Sequence, residues 1–496
     1  MNVREECHLE YGDMTLKQQL DKMFNPRSLA LIGASSTLGK WGFNILTLLL
    51  SDKGREIYAV NKHEAEVLGL KAYPSILEVP TPVDLAIITV PFQDVPATME
   101  ECIQKGVKSA VVISGGLAES GEEGARVQRQ LVEVARRGGI RFMGPNCMGF
   151  FDTSSDFNTV IFLPPLRKGP VALISQSGNS GQSIITSGVE RGLGFSKYVS
   201  SGNEADLHYE DYLEYMAQDG ETKVILGYIE GLREGQRFFE LAKEITKKKP
   251  IVVVKAGRTQ AGAKAARSHT AALAGSDLIS DAAFKQAGVI RVEEIGELID
   301  VAQVLLGQPL PRGRRVGVLS IGGGMAVMAA DSVIRQGMEL ASLSPATIEK
   351  LNSVLSRRWS HGNPIDMGGD RFNYNCLWPL IEDENIDAIL VLGSPAATRR
   401  FLEWFSVHAP WMTNVDEMRK LSEAGELKEL ERLKEMRAKY GKPVIFCAMG
   451  IDIVKQGEVY RWLEQNYLVP YPTPERGAKA LSHLVEYSEY LGISKF

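Results

Sequence analysis

Residues 29–42 read LALIGASSTLGKWG: an apolar run ends at Gly33 and leads through small and polar residues into a helical stretch. The run is short and apolar throughout, which is typical of a strand buried on both faces of a parallel sheet. A glycine directly after such a strand suits the tight turn that joins it to a helix. The stretch therefore predicts the first strand–turn–helix unit of an α/β fold.

Similar runs recur along nearly the whole chain, and each ends in Gly, Ser or Pro before a helical stretch. This alternation of strand-like and helix-like stretches is interrupted at the proline-containing stretches 158–170 and 305–315. Because ligands of open parallel sheets collect at the carboxyl ends of the strands, the loops there are the places to look for chemistry. We predict an α/β protein with parallel sheets, made of a leader at 1–22 and three domains at 23–157, 165–304 and 312–496.

The composition is that of a soluble globular protein. Of the 496 residues 44% are hydrophobic and 24% charged, and the net charge of -5 argues against a general nucleic-acid binder. No apolar run is long enough to cross a bilayer, and the N-terminus lacks the apolar stretch of a signal peptide. The five cysteines are scattered without CxxC spacing, which indicates neither disulfides nor a zinc site. We expect a cytoplasmic protein with no membrane or nucleic-acid partner.

The Gly-rich turn at 29–42 does not match the common nucleotide-binding patterns. Ala34 and Ser35 replace the start of the G-x-G-x-x-G dinucleotide fingerprint, and Asn61 ends the second strand where an NAD site has an acidic residue. Trp41 stands where a P-loop has the Ser or Thr that binds magnesium. Neither NAD nor a Walker-type site follows from the turn, and a purely structural turn remains an alternative.

Further loops of the first domain converge on the same sheet edge. Together they predict a long cleft with a lysine, backbone donors and small residues, which suits an extended phosphorylated cofactor. Each loop by itself is also compatible with ordinary turn chemistry. The candidate cofactor-binding residues are Gly33, Ser35, Ser36, Asn61, Lys62, Val90, Pro91, Gly115, Gly116 and Asn146.

The second domain contains ALISQSGNSGQSI at 172–184, a strand-to-helix turn rich in hydroxyls and unhindered amides. A compact anion such as phosphate fits the positive end of the helix that follows. The candidate phosphate-binding residues are Ser175, Gln176, Ser177 and Gly178. An N-cap without a ligand is the alternative, and the G-x-S-x-G pattern of hydrolases is not matched.

A single histidine, His269, lies in RSHTAALAGSD at 267–277. Local composition alone fits a helix start with Ser268 as N-cap. Glu230, at the end of the strand in VILGYIEGL (224–232), is by itself an ordinary strand-end glutamate. The other histidines have no clustered ligand spacing, so we predict no metal site.

Several motifs in one order resemble the NDP-forming acyl-CoA synthetases, relatives of succinyl-CoA synthetase. SHTAALAGSD is similar to their phosphohistidine segment, and further markers run from about residue 23 onward. The likeness is greatest to the α subunit of ADP-forming acetate–CoA ligases. The markers are GPNCMG, SQSGNSG, SSGNEADLHYEDYLEYM, YIEG, IGGGMAVMAAD and GNPIDMGGD.

The resemblance implies a Rossmann-like CoA-binding domain followed by two flavodoxin-like domains. It implies a reversible route in which phosphate converts acyl-CoA into an acyl phosphate, His269 takes the phosphoryl group, and ADP becomes ATP. Glu230 is implied as the carboxylate that orients His269, and the Ala- and Gly-rich segment around His269 as one that swings between sites. Coenzyme A and inorganic phosphate are implied as ligands of this chain.

No stretch resembles the ATP-grasp region of that family. The resemblance therefore implies that ADP or ATP, with Mg²⁺, binds an ATP-grasp β subunit or fused region, in a hetero-oligomer built on an α dimer. A non-catalytic CoA-sensing or acyl-CoA-sensing module of the same fold is the main alternative, although sensing needs neither His269 nor Glu230. An NAD-dependent dehydrogenase is a second alternative, which Asn61 and the broken fingerprint disfavour.

Overall fold

The computed structural model describes residues 15–52, 54–262, 277–357, 359–368, 373–395, 397–409, 411–412, 414–448 and 457–494. His269 lies outside the described residues. Contacts group the chain into two compact units, one of residues 1–189 and 194–295 and the other of 190–193 and 296–496. The domain boundaries proposed from the sequence stay predictions.

The first unit contains two sheets of seven strands each. The first sheet has the order β3-β4-β2-β1-β5-β6-β7 and is parallel except at the β3–β4 pair. Its strands are β1 Ser28–Ile32, β2 Glu56–Val60, β3 Glu66–Val67, β4 Leu70–Tyr73, β5 Leu85–Ile88, β6 Ser109–Val112 and β7 Arg141–Met143. Strands β1, β5 and β6 are buried along their whole length, as their continuous apolar runs predict.

The second sheet has the order β14-β13-β12-β10-β11-β8-β9, with the antiparallel pairs β11–β8 and β8–β9 at one edge. Its core order β11, β10, β12, β13, β14 is the flavodoxin-like one. Its strands are β8 Gly149–Asp152, β9 Phe157–Asn158, β10 Lys168–Ser175, β11 Phe195–Ser200, β12 Val224–Ile229, β13 Ile251–Lys255 and β14 Ile290–Val292.

Helices cover both sheets, and one cluster of buried side chains includes residues of each, such as Leu31 and Ile174. Helix α4 shows why these segments are helical: Glu122 and Glu123 lie in its first turn, Arg136 and Arg137 in its last, and both pairs complement the helix dipole. The helices are α1 Leu16–Phe24, α2 Trp41–Leu49, α3 Val95–Lys105, α4 Glu122–Gly138, α5 Gly178–Glu190, α6 Tyr209–Gln218, α7 Gly235–Ile245 and α8 Asp277–Gln286, with short 3₁₀ turns at Ile76–Glu78, Phe92–Asp94 and Ala118–Ser120.

The second unit has one parallel sheet of order β16-β15-β18-β19, with β17 also paired to β15. Two apolar clusters pack on its opposite faces. Its strands are β15 Arg315–Ser320, β16 Glu339–Leu340, β17 Ile365–Asp366, β18 Ala388–Leu392 and β19 Val444–Cys447. Its helices are α9 Ile295–Gly307, α10 Gly323–Arg335, α11 Pro345–Val354, α12 Tyr374–Glu382, α13 Ala397–His408, α14 Val415–Tyr440, α15 Gly457–Gln465 and α16 Pro474–Tyr490.

The predicted α/β class with mainly parallel sheets is confirmed. The strand order reverses between β1 and β5 in the first sheet and between β10 and β12 in the second. Loops that leave the carboxyl ends of such strand pairs diverge and open a crevice. Gly33 and Val90 follow the first pair, and Gln176 and Glu230 follow the second. No helix within the described residues has the length and apolar character that spanning a bilayer requires.

Candidate functional site

The turn after β1 brings helix α2 close to the end of its strand. Gly33 has φ of +95°, and a Cβ there would lie 2.6 Å from Oγ1 of Thr89. A Cβ on Gly42 would lie 1.9 Å from the carbonyl oxygen of Gly33, so α2 packs directly on the turn. Ser35 is buried, and its Oγ accepts from the backbone N–H of Thr37 at 3.1 Å. Ser36 and the residues after it are exposed at the rim.

Asn61 fixes the neighbouring loop to this turn. Its Nδ2 donates to the carbonyl of Ala34 at 2.7 Å, and its Oδ1 accepts from the backbone N–H groups of His63 and Glu64 at 2.7 and 3.0 Å. The Asn61 side chain therefore holds two loops together. Lys62 is exposed beside it, on the same edge.

The third and fourth loops of this edge are tied to each other. Ser114 donates from Oγ to the carbonyl oxygen of Val90 at 2.6 Å, while Pro91 is exposed. Gly116 has φ of +92°, and its N–H donates to Oε1 of Glu119 at 2.6 Å. The Glu119 carboxylate is thus already hydrogen-bonded to one backbone N–H group of the predicted cofactor loop.

A bridge of side chains joins this loop to the second sheet's loops. Asn203 donates from Nδ2 to Oε2 of Glu119 at 2.5 Å and to Gln128 at 3.0 Å. Asn146, with φ of +55°, donates from Nδ2 to Oδ1 of Asn203 at 3.3 Å. Gly202 allows its loop to contact the backbone of the loop that contains Pro145, because a Cβ on Gly202 would lie 2.4 Å from the carbonyl oxygen of Pro145. The loops at the edges of the two sheets are therefore joined by hydrogen bonds and by close backbone contact.

The turn at 175–178 is shaped by its own hydroxyl groups. Ser175 is fully buried, and its Oγ donates to the carbonyl oxygen of Ser177 at 2.6 Å. Ser177 and Gly178 are half-buried, at the start of α5. Of this turn, Ser177 and Gly178 present the more accessible groups at the helix N-terminus, where backbone N–H groups favour an anion.

Gln176 holds the end of strand β12 in place. Its Oε1 accepts from the backbone N–H groups of Glu230 and Gly231 at 2.6 and 3.0 Å. Its Nε2 donates to the carbonyl oxygen of Gly231 at 2.6 Å and to Oε2 of Glu204 at 2.9 Å. Gln176 and Glu230 are both buried, with exposed fractions of 8% and 7%. The side-chain amide of Gln176 therefore positions the backbone that carries Glu230.

Glu204 is the other buried carboxyl group of this network. It is 2% exposed, and its Oε1 accepts from Oγ of Ser201 at 2.6 Å. Burial raises the pKa of Glu204 to about 8, although the hydrogen bonds from Ser201 and Gln176 favour the charged form. Burial therefore favours the uncharged form of Glu204, which supports Gln176 without adding a charge.

Lys255, the last residue of β13, lies on the far side of Glu230. Its Nζ donates to the carbonyl oxygens of Glu230 at 2.8 Å and Ala256 at 2.6 Å. Burial lowers the pKa of Lys255 from its ordinary value. The Glu230 backbone is therefore held from two sides, through its N–H by Gln176 and through its carbonyl by Lys255.

One cavity of about 280 Å³ lies where the two sets of loops meet. Five of the residues predicted from the sequence line it: Gly115, Asn146, Gln176, Ser177 and Gly178. Trp41, Ile113, Cys147, Met148, Asn179, Gly202 and Asn203 complete the lining. The predicted residues that do not line it fall into two groups. One group follows the carboxyl ends of strands in the first sheet and consists of Gly33, Ser35, Ser36, Asn61, Lys62, Val90, Pro91 and Gly116. The other lies at strand ends of the second sheet and consists of Ser175, which ends β10, and Glu230, which follows β12. Among the described residues no cluster of side chains suits a metal ion.

The comparisons with known proteins match this architecture. The family described as the CoA binding domain matches residues 27–152, and the succinyl-CoA ligase like flavodoxin domain matches residues 168–305. The α subunit of ADP-forming acetate–CoA ligase II from Pyrococcus furiosus is 40% identical over 481 residues, which cover 95% of this chain and 99% of the relative. The chain belongs to the family of the ADP-forming acetate–CoA ligases. The resemblance to NDP-forming acyl-CoA synthetases predicted from the sequence is confirmed.

Other members of this ligase family agree. ADP-forming acetate–CoA ligase I of Archaeoglobus fulgidus is 39% identical over 474 residues, but this chain covers only 64% of it. A dinucleotide-forming acetyl-coenzyme A synthetase from Ca. Korarchaeum cryptofilum, solved in complex with phosphate and ADP, matches with a TM-score of 0.79 and 32% identity, over 96% of this chain and 98% of that one. The predicted enzyme class, acid–thiol ligase, is confirmed by these relatives.

The family names also bear on partners and ligands. The Pyrococcus furiosus ligase relatives are named as α subunits, which implies that a partner subunit accompanies them. Involvement of CoA, nucleotide and phosphate follows for the family at this coarse level.

Sequence reasoning did not single out Glu119, Asn203, Glu204 and Lys255, which the structure places in contact with the candidate residues or their loops. Asn203 and Glu204 do lie in SSGNEADLHYEDYLEYM, which the sequence marks as a family motif without assigning them a role. Glu119 and Lys255 carry no local signal, because their partners are far away in sequence: Asn203 lies 84 residues from Glu119 and Glu230 lies 25 residues from Lys255.

Proposed function

We propose that this chain is the acyl-transferring α subunit of an ADP-forming acyl-CoA synthetase, which interconverts acyl-CoA, ADP and phosphate with a carboxylic acid, CoA and ATP. The observation that carries the proposal is the shared cavity. It joins Gly115 and Asn146 on the CoA-binding side to Ser177 and Gly178 at the start of α5. A thioester from one side and a phosphate from the other meet there.

The first step forms an acyl phosphate. A phosphate oxygen attacks the thioester carbonyl carbon, the new C–O bond forms, and the C–S bond breaks. The sulfur leaves with its electron pair as a thiolate and takes a proton to become the CoA thiol. The N-terminus of α5, with Ser177 and Gly178, holds the phosphate by backbone N–H groups and the helix dipole.

The second step uses the pair that the family resemblance assigns, His269 and Glu230. A neutral imidazole nitrogen attacks the phosphorus, the P–N bond forms, and the P–O bond to the acyl group breaks, which releases the carboxylate. Glu230 orients the ring and stabilises the cationic phospho-imidazole. The support for this role is that Gln176 and Lys255 fix the Glu230 backbone beside the phosphate turn.

The residues at the edge of the first sheet fit an extended phosphorylated ligand. Gly33 and Gly115 have no side chains, so a ligand can approach the backbone of these turns closely. Lys62 offers an exposed cation. Gly116 fits less well as a direct contact, because Glu119 accepts its N–H. CoA, when bound there, supplies the thiol that accepts or donates the acyl group. Ser35, Ser36, Asn61, Val90, Pro91 and Asn146 complete the proposed edge.

The last step belongs to a partner. Phosphohistidine transfers its phosphoryl group to ADP with Mg²⁺ on an ATP-grasp subunit or fused region, after the segment around His269 has moved from one site to the other. We propose a cytoplasmic hetero-oligomer built on an α dimer. Co-purification followed by mass measurement of the native complex tests this assembly.

The first two steps need only this chain, so they test the proposal directly. The purified chain is incubated with acetyl-CoA and ³²P-labelled phosphate, and acid-labile, alkali-stable label on protein is counted. We expect label in the wild type, none in His269→Ala, and labelling slowed by about 100-fold or more in Glu230→Gln, since an unoriented ring misses the attack geometry. His408→Ala is the matched control, because His408 is an exposed histidine of the second unit, and it should label normally.

Two outcomes contradict the proposal. Normal labelling of His269→Ala excludes the phosphohistidine route. Tight binding of acetyl-, butyryl- and hexanoyl-CoA without label or CoA release, even when an ATP-grasp subunit is added, establishes the alternative of a CoA-sensing module.

A further inference from the structure

The cavity between the two sheets has one apolar wall and one polar wall. Trp41, Ile113 and Met148 form the apolar wall, while Ser177 and Asn179 lie with the α5 N-terminus on the polar one. None of the described residues that line the cavity is charged. At about 280 Å³ the cavity is at the small end of ligand sites in proteins.

The apolar wall is fixed at the point where the phosphate is expected. A Cβ on Gly178 would lie 2.4 Å from Sδ of Met148, so the thioether lies directly against the first residue of α5. The Met148 backbone is held in turn, because its N–H donates to Oγ of Ser200 at 3.0 Å. An acyl group whose carbonyl carbon reacts with phosphate at the N-terminus of α5 would therefore lie next to Met148.

Trp41 closes the wall from the other sheet. It is the first residue of α2, and the close contact of Gly42 with the carbonyl oxygen of Gly33 fixes where that helix begins. The indole is 42% exposed, so it borders the cavity and is not part of the core. A tryptophan ring is rigid, whereas methionine yields to its surroundings. Trp41 is consequently the stiffer limit on the space available.

We propose that this wall is the acyl pocket, and that Trp41 and Met148 limit it to short, uncharged aliphatic acyl groups. The proposal rests on the proposed function and adds to it the residues that select the acyl group. Attack requires the phosphate oxygen and the acyl carbon to be about 3–3.5 Å apart. The acyl chain then points from α5 along Met148 towards Trp41. A second carboxylate on that chain finds no cation in the described lining and is disfavoured by desolvation.

Arsenate provides an assay that uses the full chain alone. It attacks the thioester as phosphate does, the C–S bond breaks, and the acyl arsenate reacts with water to give the acid and arsenate. CoA release is followed with acetyl-, butyryl-, hexanoyl- and succinyl-CoA, and kcat/KM is compared within each variant. Trp41→Ala should raise the hexanoyl-to-acetyl ratio by about tenfold or more, and Met148→Ala should raise it less.

Trp41→Phe should give a ratio between those of the wild type and Trp41→Ala, and it keeps an aromatic ring if the alanine variant does not fold. Trp411→Ala, which removes a 77% exposed tryptophan of the second unit, is the control and should leave every ratio unchanged. The wild type should use succinyl-CoA at least tenfold less well than butyryl-CoA.

Unchanged ratios in active Trp41→Ala and Met148→Ala overturn the acyl pocket and leave the proposed function intact. A Trp41→Ala variant whose KM rises equally for all thioesters also overturns it, because the indole then contacts the CoA moiety. Succinyl-CoA used as well as butyryl-CoA overturns the preference for uncharged groups. A wild-type chain that releases no CoA from any thioester rejects the proposed function, and this inference with it.

Discussion

Replacing Gln176 by alanine tests how the site is held together. The side-chain amide of Gln176 makes four hydrogen bonds: it accepts from the N–H groups of Glu230 and Gly231, and donates to Gly231 and Glu204. At about 1 kcal/mol net for each bond, the variant loses about 4 kcal/mol of the free energy of unfolding of the first unit. This is a large loss, because Gln176 is only 8% exposed and the abandoned groups are buried with it.

The substitution should slow the reaction as well as lower the free energy of unfolding. Gln176→Ala removes the acceptor of the Glu230 N–H group, and a misplacement of about 1 Å lowers a rate by about 100-fold. We expect phosphohistidine formation from acetyl-CoA and phosphate to slow by about that factor, with the KM for phosphate unchanged. If Gln176 instead binds phosphate directly, the KM for phosphate rises and the maximal rate is less affected.

Gln182→Ala is the matched control, since it removes the same kind of side chain from helix α5, which directly follows the turn that carries Gln176. Gln182 makes one hydrogen bond from Nε2, to the carbonyl oxygen of Ile161 at 2.7 Å. It should lower the free energy of unfolding by about 1 kcal/mol and leave the transfer rate within about threefold. Urea unfolding and rapid-quench labelling measure the two quantities. A Gln176→Ala protein that transfers phosphate at the wild-type rate shows that Gln176 does not position Glu230.

Two further predictions concern the carboxyl groups that flank the cavity. Burial raises the pKa of Glu204 from 4.5 to about 8, so between these values the folded chain keeps a proton that the unfolded chain has lost, and stability falls as the pH rises. Glu204→Gln should remove up to about 1.4 kcal/mol per pH unit of that decline in the free energy of unfolding. Urea unfolding at pH 5.5, 6.5 and 7.5 measures it. If the free energy of unfolding falls with pH equally in both proteins, the pKa of Glu204 is not raised in the folded chain. Glu119→Ala removes the carboxylate that accepts from Gly116 and Asn203, and it should raise the KM for acyl-CoA several-fold. Glu123→Ala, on the exposed start of α4, is the control and should leave the KM unchanged. If Glu119→Ala has the same KM as the wild type, Glu119 does not shape the loop.

The sequence by itself determined the class of fold and the family. Apolar runs such as 29–32 and 172–174 are typical of strands of a sheet covered on both faces, and the residues that follow them are small enough for tight turns into helices. Patterns of this kind involve residues that are close together in the chain, so the sequence alone shows them. The ordered motifs around Asn146, Gln176 and Glu230 identified the family for the same reason.

Only the tertiary structure decided what the individual side chains do. Gln176 looked like a phosphate ligand from its place in a Gly- and Ser-rich turn, yet its amide is directed at backbone groups 54 and 55 residues away. Asn61 clamps a loop 27 residues away. The cavity lined by Trp41 and Met148 exists only because two sheets meet. Hydrogen bonds and cavities between distant loops depend on how strand ends are brought together, and no local pattern records that arrangement.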